Sequence, residues 1–149
     1  MLRKAPGPRG FPTEVAHTAE RAHLRVPLGS GDDLVGWLSL EYSRGDPLVV
    51  SIVVRAPSRA AVLERTMLRA DLRNALNISI RYKEMTVEPG TRGYTSFQFE
   101  ESLVIVTALV PSDVISRFLH STDAVVPPGQ AETKAVSSML EDLLQDSGA

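Results

Sequence analysis

Residues 48–54 read LVVSIVV, apolar at every position but Ser51. β-branched side chains are stiff about χ1 and fit a pleated surface better than a helix. Turn chemistry bounds the run, with SRGDP at 43–47 before it and a loop at 56–59 after it. So short an apolar run between breakers reads as a strand. Pro47 has no N–H to give a ladder but is tolerated at a strand's first position. A strand apolar on both faces belongs inside a sheet, with a neighbour on either side.

The flanking chain supplies those neighbours. Residues 14–27 alternate, with Ala16, Ala22, Leu24 and Val26 on one parity. Val15, His17, Arg21, His23 and Arg25 occupy the other, which reads as a wetter face. LGSGDD at 28–33 is a turn, and 34–42 resumes with Leu34, Leu38, Leu40 and Tyr42 on one side. Residues 61–67 suit either period. Residues 78–87 alternate again, Ile78, Ile80 and Tyr82 against Ser79, Arg81 and Lys83. After a loop at 88–93 come strands at 94–99 and 103–110, joined at Glu100, Glu101 and Ser102. So short a join implies an antiparallel hairpin.

Helical spacing is sparse and late. RADLRNALN at 69–77, with Leu68, Leu72, Ala75 and Leu76, predicts a short helix stopped by Asn77. Ser112 is a candidate N-cap for a helix with Val114, Ile115, Phe118 and Leu119 on one face. Val136, Met139, Leu140 and Leu143 give a last helix, with Thr133 as candidate cap. Strands first and helices last argue an α+β fold. The expectation is one domain with about seven antiparallel strands, a short internal helix and two C-terminal helices. A chain of 149 residues is one domain by size. Residues 1–12, with Pro6, Pro8, Pro12 and two glycines, read as a disordered arm and 146–149 as a frayed tail. The folded unit is then 13–145.

The search for chemistry yields no catalytic, cofactor or metal site. His17 and His23 share a strand parity but lie about 20 Å apart, too far for one metal. His120 and Asp123 have no second histidine nearby in sequence. No GxSxG, GxGxxG or P-loop pattern occurs, and LGSGDD, the nearest imitation, is turn chemistry. Glu100 and Glu101 are adjacent and should point apart. Arg81, Lys83 and Arg92 near Tyr82, Tyr94, Phe97 and Phe99 could stack bases on a sheet. Tyr82 has the wrong parity, however, and Phe97 and Phe99 alternate as core residues do. The net charge of −2 also disfavours a phosphate-neutralising surface. Glu64, Arg69, Asp71 and Arg73 read as a solvated mixed-charge face. Without cysteine there is no disulfide. No apolar run approaches the roughly 18 residues of a membrane span, and MLRKAPGPRGFP lacks the apolar stretch of a secretory signal. The expected location is the cytoplasm.

FLHSTDAVVPPGQAE at 118–132 pivots the chain between the last two helices. On local chemistry, Phe118 and Leu119 dock the helix, Thr122 and Asp123 satisfy its end, and Pro127, Pro128 and Gly129 fix the turn. The stretch also resembles the SsgA-like proteins, an actinobacterial sporulation and cell-division family. The family's FL-x-x-T and D-A-x-V-P-x-G-x-E pattern is matched by Phe118, Leu119, Thr122, Asp123, Ala124, Val126, Pro127, Gly129 and Glu132. Its L-x-Y-x-x-x-DP-x-x-V pattern is matched by Leu40, Tyr42, Asp46, Pro47 and Val50. Arg69, Leu72 and Leu76 stand where the family has an arginine and a short helix, and Val87 with Pro89 resembles its V-x-P strand end. The resemblance covers about residues 34–144. It departs at LERTMLR, 63–69, which lacks the family's tryptophan and phenylalanine, and at Glu88, where an aromatic is usual. Trp37 lies elsewhere, and the arm looks like an addition, so the chain is similar to a divergent member.

The resemblance implies a seven-stranded sheet in a trimer, similar to the whirly-type single-strand-binding proteins. It implies a non-enzymatic scaffold that positions septa through the tubulin-like FtsZ or other SsgA-like proteins, in the cytoplasm and at the septum. Assembly would bury strand faces left wet in a monomer, in keeping with the apolar run at 48–54. The alternative from a different class is a trimeric single-stranded nucleic-acid-binding protein.

Overall fold

Residues 15–25, 33–55, 62–101 and 104–147 are described by the computed structural model. The arm at 1–12 and most of the turn at 28–33 and the loop at 56–59 lie outside them. In chain order the elements are β1 (Val15–Arg25), β2 (Asp33–Ser43), β3 (Val49–Arg55), β4 (Val62–Leu68) and α1 (Arg69–Asn74). Then come β5 (Ile80–Arg81), β6 (Met85–Pro89), β7 (Tyr94–Glu101), β8 (Val104–Pro111), α2 (Ser112–Val125) and α3 (Gln130–Ser147). The strands make an antiparallel sheet in the order β4-β3-β2-β1-β8-β7-β6-β5. The α+β expectation holds, with eight strands among the described residues in place of seven.

The extra strand comes from 78–87, read as one element. The chain turns at Lys83 and Glu84, Tyr82 N donating to Met85 O at 2.7 Å, so that Ile80 pairs with Val87. Alternation continues across that turn and hides it. The apolar run behaves as expected: β3 is flanked by β2 and β4. Val50, Ile52 and Val54 are buried on its inner side, and Val53 is 8% exposed on the other. Val53 is thus buried within one chain, while Val49 on the same face is half-buried.

Parity sorts the sheet into two faces. Ala16, Ala22, Leu38, Leu40 and Tyr42 are buried inward, whereas Val15, His17, Arg21, Trp37 and Glu41 are exposed outward. Phe97 and Phe99 are fully buried, their rings 6.3 Å apart and nearly parallel. Helix α2 lies against β1, β2 and β8, burying Val114, Ile115, Phe118, Leu119, Thr122 and Val125. Both expected caps fail. Ser112 is the first helical residue after Pro111, and its hydroxyl pairs with that of Thr95 at 2.8 Å. Thr133 is inside α3, its N–H donating to Gly129 O. The short helix ends at Asn74, three residues before Asn77. Strand β7 runs through Glu100 and Glu101, so they close a strand and not a turn.

The sheet curls until its ends meet. From β4, the Arg65 guanidinium donates to Glu101 Oε2 at 2.7 Å, Glu100 O at 3.1 Å and Glu64 O at 2.9 Å. Leu68 N–H, also on β4, donates to the Tyr82 hydroxyl just beyond β5 at 2.9 Å.

Candidate functional site: a buried arginine joining three segments

Arg69 opens α1 directly after β4, and Leu48 O accepts its backbone N–H at 2.8 Å. Its side chain is turned inward and only 2% exposed. The mixed-charge-face reading is therefore wrong for Arg69. The physical reason is helical spacing: Arg69, Leu72 and Leu76 share one face of the turn, and Leu72 is fully buried. That spacing was the signal available in the sequence.

The guanidinium ends the next helix from outside. Its Nη1 donates to Val126 O at 2.6 Å and Thr122 O at 3.2 Å, and its Nη2 reaches Pro127 O at 3.4 Å. The carbonyls of a helix's last turn have no partner within the helix, and a planar fork of donors can serve several at once. Thr122 uses its hydroxyl locally, donating to Leu119 O at 2.7 Å. Asp123 lies 3.5 Å from Arg69 Nη1 and accepts from Arg73 Nη2 at 2.6 Å. Glu132, at the start of α3, stands 3.9 Å from Arg69 Nη2, and its Oε1 is buried without a hydrogen bond. Arg69 thus carries two acidic neighbours and a fan of carbonyls. Gly129 turns the chain into α3 with φ of 84°, a conformation that disfavours a Cβ.

The upstream segment closes the site. Tyr42 is 2% exposed, and the Arg69 guanidinium sits 4.9 Å from its ring centroid. Its hydroxyl donates to Pro47 O at 2.8 Å. That bond and Asp46 N to Ser43 O at 3.2 Å hold the DP turn. Leu40 and Val50 are fully buried, Asp46 is exposed in the turn, and Phe118 and Leu119 lie in the core. The structure thus brings Tyr42, Pro47, Arg69, Thr122, Asp123, Val126, Pro127 and Glu132 together. Leu40, Val50, Phe118 and Leu119 support them from the core, while Asp46 and Gly129 shape the loops. The geometry couples three segments of the chain.

A second polar junction lies nearby. The Tyr82 hydroxyl donates to Asp71 Oδ2 at 2.6 Å while accepting from Leu68 N. Burial raises the pKa of both phenols above 10.0; the Asp71 bond raises Tyr82 further, and Arg69 partly opposes the rise at Tyr42. The unfolded chain ionises first as pH climbs past 10, so both groups stabilise the fold fully below that pH. The stability is lost as pH rises from there through the folded values. Thermal melts at rising pH should show a fall beginning near pH 10, and Tyr82→Phe should flatten it. A wild-type profile as flat as the variant's would contradict this.

Residues read as possible nucleic-acid contacts do not gather. Phe97 and Phe99 are core, Tyr82 is engaged with Asp71, and Arg81, Lys83, Arg92 and Tyr94 are exposed. Glu64 is exposed as expected.

The family model described as Streptomyces sporulation and cell division protein, SsgA, matches residues 37–131. Among solved structures, SsgB of Streptomyces coelicolor superposes with a TM-score of 0.64 at 21% identity, covering 81% of this chain and 97% of its own. Mutations in that protein correlate with longitudinal cell division during sporulation. An SsgA-like sporulation-specific cell division protein from Thermobifida fusca gives a TM-score of 0.66 at 15% identity, covering 90% of this chain and 100% of its own. At these identities the likeness is one of fold. No curated protein matches the chain.

Proposed function

Because the chain belongs to the SsgA family of sporulation and cell-division proteins, we propose that it is a non-enzymatic regulator that helps position septa through protein contacts. Its partners in this reading are FtsZ or other SsgA-like proteins, and its working form is a homotrimer at the division septum. The observation that carries the reading is the family match over 37–131, which spans the whole arginine junction except Glu132. No described helix is long and apolar enough to cross a membrane, so recruitment to the septum would run through partners. The signature residues Leu40, Tyr42, Asp46, Pro47, Val50, Phe118, Leu119, Thr122, Asp123, Val126, Pro127 and Gly129 act in this proposal as framework, leaving recognition to the outer surfaces.

A fluorescent fusion in an actinobacterial host, followed through septation, tests the reading alongside two-hybrid pairing with FtsZ and SsgA-like proteins. Septal foci with at least one such pairing are expected. Diffuse signal, normal septa in a deletion strain and no pairing would end it.

A further inference from the structure

The outer face of β1, β2 and β3 carries a row of side chains that the core does not use. Arg21 stands in register with Trp37, which stands in register with Arg55. Residues directly opposite across antiparallel strands share a face, so the row reads arginine, tryptophan, arginine. Trp37 is 43% exposed, and Val35, two residues away on the same strand face, is 52% exposed. The Arg21 guanidinium lies 5.7 Å from the Trp37 ring centroid. Arg21 and Arg55 are both exposed, and neither forms an ion pair with a described residue. Glu41, an acid farther along this face, is turned to His17 at 3.7 Å. Glu64, on β4, stands opposite Val53 and makes no ion pair with Arg55. Around Trp37 the face is therefore apolar between two cations that nothing described neutralises, on a chain whose net charge is −2.

We propose that this row docks an acidic, extended segment of a partner protein, one that presents a carboxylate, an apolar side chain and a carboxylate at alternate positions. This rests on the reading of the chain as a regulator that works through protein contacts, and it names the chemistry of one such contact. Arg21 and Arg55 lie two strand spacings apart, about 10 Å, with Trp37 midway between them. In an extended segment the side chains of one face recur every second residue, about 7 Å apart. Acid, apolar and acid at i, i+2 and i+4 then span about 13 Å, and the flexible arginine stems take up the difference. The central apolar side chain covers Trp37 and Val35. Each guanidinium meets a carboxylate with the paired donors that suit it. Tryptophan and arginine are the side chains that dominate such contacts when truncated.

A single-stranded nucleic acid is the competing occupant, since tryptophan stacks bases and arginine binds phosphate. Charge and shape favour the peptide. The net charge of −2 sets up no field to gather a polyanion. Glu41 and Glu64 stand on the same outer face, and Val35 beside the ring offers a seat for an aliphatic side chain.

Trp37 is the chain's single tryptophan, so its emission reports occupancy of the row. The probe is the blocked peptide Ser-Asp-Ser-Leu-Ser-Glu-Ser, titrated into the full chain beside the same peptide with lysine in place of both acids, and beside oligothymidylate. The acidic peptide should shift Trp37 emission to the blue and saturate. The double variant Arg21→Glu, Arg55→Glu should bind it roughly tenfold or more weakly, because like charges then face one another. Both substitutions are on the exposed face, so the variant should melt with the wild type. No response to the acidic peptide, an equal response to the lysine peptide, or a response to oligothymidylate alone would overturn the proposal. In cells, the double variant should lose the septal foci that the wild type forms. Foci kept by the variant would overturn the proposal and leave the division role standing. A wild-type chain without foci would count against the division role instead, with the titration deciding the docking row by itself.

Discussion

Arg69→Met is expected to destabilise the protein by about 3–5 kcal/mol, the usual cost of removing one member of a buried charged network. Methionine fills much of the stem's volume, so the loss isolates the guanidinium. Its departure leaves Val126 O, on a residue 6% exposed, without its donor, while Thr122 O keeps the Val126 N–H and Pro127 O keeps the Gln130 N–H. Each buried group stripped of its partner costs about 1–3 kcal/mol. In a chain of this length a loss of that size lowers the melting temperature by roughly 10 °C. Arg73→Ala makes the control. It removes the shorter bond to Asp123, at 2.6 Å, but its side chain is 39% exposed, and exposed pairs contribute about 1 kcal/mol or less. Arg69→Lys should recover only part of the loss, since an ammonium cannot fork to several carbonyls. Equal melting temperatures for Arg69→Met and Arg73→Ala would refute the assignment of Arg69 as the junction.

Phe118→Ala should be similarly severe, about 3–5 kcal/mol for a phenylalanine 3% exposed in the core. Phe118 helps seat α2 against β1, β2 and β8, and α2 presents the carbonyls that Arg69 serves. Shifting the helix therefore weakens the arginine's bonds too. Neighbours that share a network are not additive. The double variant Arg69→Met, Phe118→Ala is expected to lose clearly less than the two single losses combined. Denaturant melts of the four proteins measure this, and strict additivity would mean that the two sites are independent.

The parts of the fold legible in the sequence were those set by parity. Leu40, Phe97 and Phe99 alternate with polar neighbours, and the burial of Leu38, Leu40 and Tyr42 follows period two. The 78–87 stretch misled because parity carries through a tight turn; the device that makes the turn is one backbone bond from Tyr82 to Met85. Caps were misplaced for a related reason. Ser112 has a cap's chemistry, but its hydroxyl is taken by Thr95 from a neighbouring strand, a partner seventeen positions away. The junction was legible only in pieces. Tyr42 with Pro47 and Thr122 with Asp123 stood out as motifs, yet nothing local says that Arg69 joins them. Charge counts against burial in any composition rule, and only the carbonyls of a distant helix end reverse that expectation.

The clasped ends of the sheet bear on how many copies can gather. A strand edge adds strands without limit, because each addition makes a new edge. Here β5 is two residues long. On β4 the outward N–H of Leu68 is held by Tyr82, and the carbonyl of Glu64 by Arg65. Between those clasps Thr66 alone offers an outward-facing pair, too little to template an incoming strand. Crowding such chains would favour finite clusters over fibres, with copy number set by the geometry of faces.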